Sequence, residues 1–300
     1  MTISDSSHNQ PRPSAGPTVI GIGAQKCAST WMHTAMGAHP QIGASFPKEI
    51  HFFSNFFNYG YQWYEARFAS VTDKPIRFEA SPSYFHDPRA PERIYNYNPG
   101  MKLIVLLRDP VERAYSSHLH EVIKAHIPPM PFAQGLQNNP EYIEQGRYAT
   151  HLGRWFNVFP RDQILVLFTE DIAKDPAAAA KIAYAFVGAD ASFSSVVLGE
   201  RRNESDKARL PVLRKGLRAG GRLLRRLGLQ DRLASLKKSG PVARMMSANS
   251  VDMRKAVPPM DSDSRKRLHD VFASEVTNLA KLLGRDSLPW QTWENRKPDA

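Results

Sequence analysis

Two short and almost wholly apolar runs constrain the fold of this 300-residue chain more than any other feature. They are Lys102–Leu107 (KLIVLL) and Gln163–Phe168 (QILVLF). A strand without polar alternation is typical of burial on both faces, as in a parallel sheet covered by helices. Thr18–Gly23 and Ile76–Ala80 predict two further strands. The sequence therefore predicts an α/β fold, a three-layer domain with a central parallel sheet flanked by helices.

Apolar periodicity predicts the helices between and after these strands. They are Ser29–Gly37, Ala90–Tyr95, Pro110–Ile123, Tyr142–Phe159, Pro176–Val187 and Ser264–Gly284, the last ending at Gly284. The proline-rich stretch 124–140 is expected to be a loop. We expect residues 1–17 to be a disordered arm and 18–300 a single domain, in which 205–245 is a basic amphipathic helical insert and 251–300 a closing segment.

Composition excludes several classes of protein. The one cysteine, Cys27, excludes a disulfide framework and any zinc or iron–sulfur site built from several cysteines, and we predict no metal site. No apolar run approaches the ~20 residues that a membrane span needs, and the first 17 residues lack the layout of a signal peptide. A cytoplasmic protein is the expectation, with peripheral binding to the inner membrane surface as an option.

The excess of positive charge is concentrated in one segment. Residues 205–245 hold twelve basic against two acidic residues, which is +10 of the formal charge of +11. Three interpretations remain open for this insert: a solvated helical pair packed through its leucines, attraction to an anionic acceptor or anionic lipid, and nucleic-acid binding. Nucleic acid is disfavoured because the segment lacks the interleaved aromatic side chains of a single-strand platform.

The chain from 24 to 31 (AQKCASTW) joins a predicted strand to a predicted helix. A loop in this position points free N–H groups at an anion and adds the positive end of the helix dipole. Lys26 supplies a point charge, and Ser29 and Thr30 supply hydroxyl donors. It is not a Walker A loop, because Gln25 stands where the second glycine belongs. A strand–helix turn with a solvated lysine is the structural alternative.

A second candidate anion site follows the run Lys102–Leu107. Asp109 is a good N-cap, Pro110 suits the first helical position, and Glu112 is expected to complete a capping box. Arg108 and Ser116 are not needed by that local structure, and a forked guanidinium beside a hydroxyl suits a phosphate. Because open α/β sheets bind ligands at the carboxyl ends of their strands, two such sites indicate a nucleotide phosphorylated at two places.

At this point a family resemblance becomes apparent. QKCASTW (25–31) resembles the 5′-phosphosulfate loop, and RDPVERAYS (108–116) the 3′-phosphate motif, of the sulfotransferases that use PAPS (3′-phosphoadenosine-5′-phosphosulfate). KEIHFF (48–53) and EASPSYF (79–85) are similar to segments of the heparan-sulfate-type branch, and MRKA (253–256) to the segment that closes on the 3′-phosphate. The resemblance implies a P-loop-like domain, PAPS as donor with PAP as product, and no metal. The binding residues it implies are Gln25, Lys26, Cys27, Ala28, Ser29, Thr30, Trp31, Arg108, Ser116, Arg254 and Lys255.

The resemblance also implies roles in sulfuryl transfer. Glu49 occupies the position of the family's base, and Lys26 would stabilise charge on the departing phosphate. His51 is the alternative base or a residue that orients the acceptor, and a carboxylate base is expected to have a raised pKa. The family often has a lysine where this chain has Ala80. Either another cation takes its place or the acceptor is less anionic than heparan sulfate.

The expected function is therefore sulfuryl transfer from PAPS to a hydroxyl or amine of a carbohydrate, a glycolipid or a small-molecule alcohol. Lys26, Glu49 and His51 are the predicted catalytic residues. Two alternatives stay open: a nucleotide-dependent kinase, and a non-catalytic basic module associated with membrane or RNA. Residues 205–245 are the candidate contact with an anionic membrane.

Overall fold

The computed structural model describes residues 15–195, 198, 206–208, 250–252 and 257–294. Its main sheet has five strands, all parallel, in the order β2-β3-β1-β4-β5. They are β1 (Val19–Gly23), β2 (Ile42–Ala44), β3 (Ile76–Ala80), β4 (Lys102–Leu107) and β5 (Ile164–Phe168). Every residue of β1 and all but the first of β4 are buried, as their unbroken apolar runs require. The predicted parallel sheet is confirmed. Of these five strands only β2 was missed, because its three residues carry no readable period.

Helices flank the sheet. They are α1 (Ser29–Ala38), α2 (Gly60–Glu65), α3 (Ala90–Tyr97), α4 (Pro110–Lys124), α5 (Phe132–Asn138), α6 (Glu141–Glu144), α7 (Tyr148–Phe156), α8 (Thr169–Lys174), α9 (Pro176–Val187), α10 (Ser262–Leu282) and α11 (Gln291–Glu294). Helix α1 packs on β1, β2, β3 and α9, and α7 packs on α10. Gly284, with φ at 64°, ends the α10 segment as predicted.

Two helix predictions were wrong. The helix predicted over 142–159 is broken at Gly146, where a Cβ atom would lie only 2.6 Å from the Phe272 ring. The predicted loop 124–140 contains α5, because Phe132 and Leu136 recur at helical spacing and are both buried. Pro131 precedes that helix, a position that proline tolerates. The prolines therefore delimit a helix in this stretch and do not exclude one.

The chain divides into two compact units. The larger comprises 1–117, 136–202 and 262–300 and holds the main sheet; the smaller comprises 118–135 and 203–261. In the smaller unit β6 (Asp206–Ala208) pairs antiparallel with β7 (Ser250–Asp252), so the three described residues of the predicted helical insert form a strand. The rest of that insert and residues 1–14 lie outside the described residues. No described helix is long and apolar enough to cross a membrane.

The strand order creates one crevice for a ligand. β1 and β4 are neighbours at the centre of the sheet, and Ala24 N–H donates to Leu106 O across them at 2.8 Å. The chain leaves β1 through α1 towards β2 at one edge, and leaves β4 through α4 and later helices towards β5 at the other. This is the topological switch point at which doubly wound sheets bind ligands. Both candidate anion loops lie there.

Candidate active site

The loop from β1 to α1 has the geometry of an anion cradle. Lys26 and Ala28 have φ of 65° and 61°, in the left-handed region. Such residues turn neighbouring N–H groups towards one side, where they form an anion-binding concavity. No side chain caps α1 at Ala28, so the first-turn N–H groups of this ten-residue helix lack a side-chain acceptor. The backbone present therefore fits the phosphosulfate end of PAPS, with the Lys26 ammonium on the same loop.

Two residues of this loop have side chains committed to protein contacts. Cys27 is fully buried, with its Sγ 3.6 Å from the Tyr148 hydroxyl. Burial raises the pKa of the Cys27 thiol to about 11, so it is neutral at physiological pH. Trp31 Nε1 donates to the Leu198 carbonyl at 3.1 Å. These two positions therefore offer a ligand their backbone and not their polar side-chain atoms.

Lys48 connects the anion loop to the predicted base. Its Nζ donates to Thr30 Oγ1 at 3.1 Å and lies 3.5 Å from Glu49 Oε1. Thr30 is in the first turn of α1. The structure thus brings Glu49, 18 or more residues away in sequence, to the rim of the phosphosulfate cradle.

Arg108 follows the last residue of β4 and is half-buried. Because β4 pairs in parallel with β1, Arg108 lies at the same edge of the sheet as the β1–α1 loop. The positive charges of Arg113 and Arg108 oppose the burial-driven rise in the pKa of Cys27 on that loop. Ser116 lies on α4, half-buried, seven residues past the Asp109 cap. The two predicted anion sites therefore flank the same crevice between β1 and β4.

The start of α4 is capped, but not in the way expected. Asp109 Oδ1 accepts from the N–H groups of Val111 at 2.8 Å and Glu112 at 3.4 Å, as an N-cap does. The predicted capping box is wrong, however, because the Asp109 N–H donates to Glu170 Oε1 at 3.1 Å. Glu112 forms an ion pair with Arg265 at 2.8 Å, which ties α4 to α10. Tertiary partners have replaced the local reciprocal bond.

Arg113 is a buried cation that sequence reasoning missed. Its side chain is wholly inaccessible to solvent, and it donates to Ser117 Oγ and Gln145 Oε1, both at 3.3 Å, and to the Tyr142 carbonyl. Burial lowers its pKa. Because these recorded acceptors are neutral, Arg113 adds positive potential beneath the crevice. Its position inside the RDPVERAYS motif was the available signal.

Glu49 and His51 form a hydrogen-bonded pair. His51 Nε2 lies 3.0 Å from Glu49 Oε2, and its Nδ1 lies 2.8 Å from Ser83 Oγ, which in turn lies 2.8 Å from Ser54 Oγ. Both ring nitrogens of His51 therefore have a hydrogen-bonding partner. With Glu49 ionised, a neutral His51 donates from Nε2 and accepts at Nδ1. The sequence named Glu49 and His51 as competing bases, whereas the structure makes them one unit.

The expected rise in the Glu49 pKa is wrong for the protein without its substrates. Burial alone raises the pKa of Glu49, but the hydrogen bond from His51 and the charge of Lys48 outweigh it. The pKa therefore lies below its ordinary value, so Glu49 is ionised and ready to accept a proton, although it is a weak base. An increase in its basicity can come from a change in its contact with His51 or with Lys48, or from further burial.

A buried clamp fixes the backbone between Glu49 and His51. Ser81 Oγ accepts from Ile50 N–H at 3.1 Å and His51 N–H at 2.9 Å, and it donates to Glu79 Oε2 at 3.0 Å. One donor and two acceptor sites of a hydroxyl are then all used. His51 has φ of 54°, a left-handed conformation that costs a non-glycine residue about 1–2 kcal/mol. The Glu79–Ser81 clamp holds His51 in that conformation.

Glu79 is the second functional residue that sequence reasoning missed as such. It is fully buried on β3, and its Oε1 accepts from the Tyr64 hydroxyl at 3.0 Å. Burial raises the pKa of Glu79 to about 7, against hydrogen bonds from tyrosine and serine hydroxyls and the charge of His51, which favour the ionised form. The EASPSYF segment contained Glu79, Ser81 and Ser83, but only their three-dimensional positions reveal the clamp.

Replacing Glu79 with glutamine should lower kcat about 10²-fold, because a displacement of the Glu49–His51 pair by about 1 Å is enough for that loss. In the wild type, kcat should fall as pH drops through about 7, because protonation of Glu79 weakens the hydrogen bond that it accepts from the Ser81 hydroxyl. Glu79→Gln should remove this fall, and the KM for PAPS should not change. Steady-state kinetics between pH 5.5 and 9 measure both.

A matched control is Tyr64→Phe, which removes the other recorded bond to Glu79. Losing a bond to the ionised form raises the pKa of Glu79, so the fall in kcat should move to higher pH. Because folding raises the pKa of Glu79 from 4.5 to about 7, the wild type loses folding stability as the pH rises through this range. Glu79→Gln lacks this titration, so its Tm at pH 8 should not be lower than that of the wild type. A lower Tm with an unchanged pH profile would make Glu79 merely structural.

The remaining predictions concern residues outside the described part of the chain and the position of Ala80. Arg254 and Lys255 lie outside the described residues, as does 209–249, so their predicted roles stay predictions. Ala80 is buried opposite Gly21 in the register of β3 and β1. The cation that the structure does place beside Glu49 is Lys48. Among the described residues no cluster of three or more His, Cys, Asp or Glu side chains could hold a metal.

A family model named "sulfotransferase domain" matches residues 17–208 of the chain. The chain belongs to this family. The match confirms the predicted sulfotransferase, with PAPS as donor, and it decides against the kinase and the non-catalytic module. It ends at the point where the chain enters the segment 209–249.

Curated relatives agree with this membership, and a solved structure shares the fold. The chain is 29% identical over 92% of its length to bifunctional heparan sulfate N-deacetylase/N-sulfotransferase 2 of Bos taurus, and 30% identical over 92% to the type 1 protein of Mus musculus. It spans about 30% of the length of these relatives. A sulfotransferase from Alicyclobacillus acidocaldarius shares the fold, with a TM-score of 0.67 at 23% identity over 91% of this chain and 97% of that one.

Proposed function

We propose that this sulfotransferase transfers the sulfuryl group of PAPS to a hydroxyl or amine of a polysaccharide. The observation that carries the proposal is the Lys48 bridge, which holds the Glu49–His51 pair against the uncapped cradle of α1. The acceptor class is supported by the names of the curated relatives, which act on heparan sulfate. Acceptor atom, sulfur and leaving phosphate must lie in line, and this arrangement provides a base on one side and an anion cradle on the other.

The roles follow from position. The N–H groups of the β1–α1 loop and Lys26 bind the phosphosulfate and stabilise charge as it develops on the departing phosphate oxygen. Arg108 and Ser116 bind the 3′-phosphate on the other side of the crevice. Glu49 takes the proton of the acceptor, and His51 orients it.

Lys48 is the cation that replaces the family lysine absent at Ala80. Its Nζ has two neighbours, the Thr30 hydroxyl and Glu49. An anionic donor in the cradle would attract this ammonium away from Glu49, which would raise the pKa of Glu49 towards that of a useful base. Donor binding and activation of the base are then linked through one side chain.

The decisive test combines donor binding with transfer. At about 100 times its Kd, adenosine 3′,5′-bisphosphate should raise the Tm by about 5 °C, whereas ATP with Mg²⁺ should not. Label from [³⁵S]PAPS should then appear in N-desulfated heparan sulfate. A Tm shift with ATP and none with the bisphosphate would contradict PAPS as the donor. A Tm shift with the bisphosphate but no labelled polysaccharide would contradict a polysaccharide as the acceptor.

A further inference from the structure

Exposed aromatic side chains are concentrated next to the candidate base. Phe46, Tyr59 and Phe56 are 81%, 62% and 39% exposed, although such rings are usually buried. Tyr59 stacks on the half-buried Trp63 with ring centroids 5.0 Å apart, and Phe56 lies 6.0 Å from Trp63. We name Phe46, Phe56, Tyr59, Trp63 and Arg67 the aromatic strip. An exposed cluster of this kind indicates a binding surface.

The aromatic strip is continuous with the active-site loop. The N–H of Phe56 donates to the carbonyl of His51 at 3.1 Å, so this end of the strip is hydrogen-bonded directly to the backbone of the Glu49–His51 pair. At the other end, Phe46 precedes Lys48 by two residues, and its N–H donates to the Arg67 carbonyl at 3.3 Å. The strip therefore begins and ends beside the segment that carries Glu49.

Its rigidity comes from the core. Trp63 stacks at 6.2 Å on Phe52, which is wholly buried and stacks in turn on Tyr64 at 4.5 Å. Tyr64 donates to Glu79. The rings of Tyr59 and Phe56, anchored through Trp63 in this way, present a preformed surface and lose little conformational entropy on binding.

The chemical groups of the strip indicate which class of molecule it binds. The Arg67 guanidinium lies 4.2 Å from the centroid of the Trp63 ring, and no ion pair is recorded for it among the described residues. Asn55, Asn58 and Gln62 are exposed and lie among these aromatic residues in the sequence. Aromatic faces suit the C–H faces of pyranose rings, amides suit their hydroxyls, and the guanidinium suits a carboxylate. An acyl chain would instead need an unbroken apolar surface.

We propose that the aromatic strip is the acceptor-binding surface and holds a polysaccharide that contains uronic acid. The inference rests on the proposed function, since it names the surface that delivers the acceptor to Glu49. Stacking of one sugar on Tyr59 and Trp63 and of another on Phe46, with a carboxylate of the chain at Arg67, would lead the chain past the base. The strip contributes to acceptor binding and takes no part in donor binding.

The test uses the full chain and two exposed positions. The double variant Phe46→Ala/Tyr59→Ala should raise the KM for N-desulfated heparan sulfate about tenfold or more, as expected for two lost stacking contacts, with unchanged kcat and KM for PAPS. Arg67→Gln should raise the KM for the acidic polysaccharide and leave that for a neutral glucan oligosaccharide unchanged. Tyr59→Phe keeps the ring and should behave as wild type.

Tyr95→Ala is the matched control, because Tyr95 is 41% exposed on α3 and packs on Phe159, away from the strip. An unchanged acceptor KM in the double variant would overturn the inference and leave the proposed function standing. Wild-type protein that binds the bisphosphate but neither labels nor binds immobilised polysaccharide would overturn both. Loss of vesicle co-sedimentation or of dimer formation in the double variant, with the acceptor KM unaltered, would assign the strip to lipid or to a second copy instead.

Discussion

Replacing Lys26 with alanine is expected to lower kcat about 10²–10³-fold, the usual cost of removing one group that stabilises developing charge. Lys26 lies on the β1–α1 loop, where we propose that it binds the phosphate that departs from sulfur. The remaining cradle consists of backbone N–H groups, so adenosine 3′,5′-bisphosphate should still bind, with a Kd raised by less than the loss in kcat. Initial rates with [³⁵S]PAPS and calorimetric titration with the bisphosphate separate the two effects.

The matched control is Lys102→Ala. Lys102 is a half-buried lysine at the start of β4, at the opposite ends of the strands, and its Nζ donates to the Phe186 carbonyl at 2.7 Å. Its loss should lower the Tm and leave kcat near the wild-type value. If Lys26→Ala retained more than a tenth of the wild-type kcat, the assignment of the phosphosulfate end to this loop would be wrong.

Glu49→Gln is expected to lower kcat by about 10²–10⁴-fold, the range that general-base catalysis contributes. The amide keeps the size of the side chain and can still accept from His51, but it cannot take a proton. The KM for PAPS should change little, because Glu49 is not part of the cradle. Single-turnover measurements of labelled polysaccharide would report the transfer step itself.

His51→Ala distinguishes the two members of the pair. Its hydrogen bond lowers the pKa of Glu49, so its removal should raise that pKa and move the corresponding fall in kcat to higher pH. A smaller loss of kcat than in Glu49→Gln is expected, because the base is still present. Equal losses with no shift of the profile would instead make His51 the base and Glu49 the residue that orients it.

The Glu79–Ser81 clamp explains why a carboxylate with a pKa of about 7 is tolerated in the core. A buried ionisable group is costly, and an apolar residue at 79 would be the simpler choice for stability. Only an acceptor such as Glu79 Oε2, however, fixes the Ser81 hydroxyl with both of its acceptor sites on the backbone of Ile50 and His51. Glu79 therefore lowers folding stability but fixes the backbone geometry beside Glu49.

The Lys48 contacts bear equally on how the donor could regulate the base. The same ammonium lies at 3.1 Å from Thr30 and 3.5 Å from Glu49, so it is shared between donor cradle and base before any substrate is bound. This arrangement keeps Glu49 ionised, and a weak base, until an anion competes for Lys48.

The amino-acid sequence by itself determined the parallel sheet, the bounds of β3, β4 and α9, and the two loops that follow β1 and β4. Each of these depends on neighbours within about ten residues: an unbroken apolar run, a helix cap, a proline at a helix start. The sequence motifs also predicted Glu49 as the base and His51 as an alternative base or an orienting residue. Local signals were sufficient for the two loops because each directly follows a strand with an unbroken apolar run.

Only the tertiary structure decided how these residues act. The hydrogen bonds that Ser81 accepts from Ile50 and His51 join positions 31 and 30 residues apart. The bond from Lys48 to Thr30 joins positions 18 apart, and that from Asp109 to Glu170 joins positions 61 apart. None of these pairs has a periodic signature, because packing brings the partners together. The lowered pKa of Glu49 has the same origin, since it depends on the distances to Lys48 and His51 that the folded loop fixes.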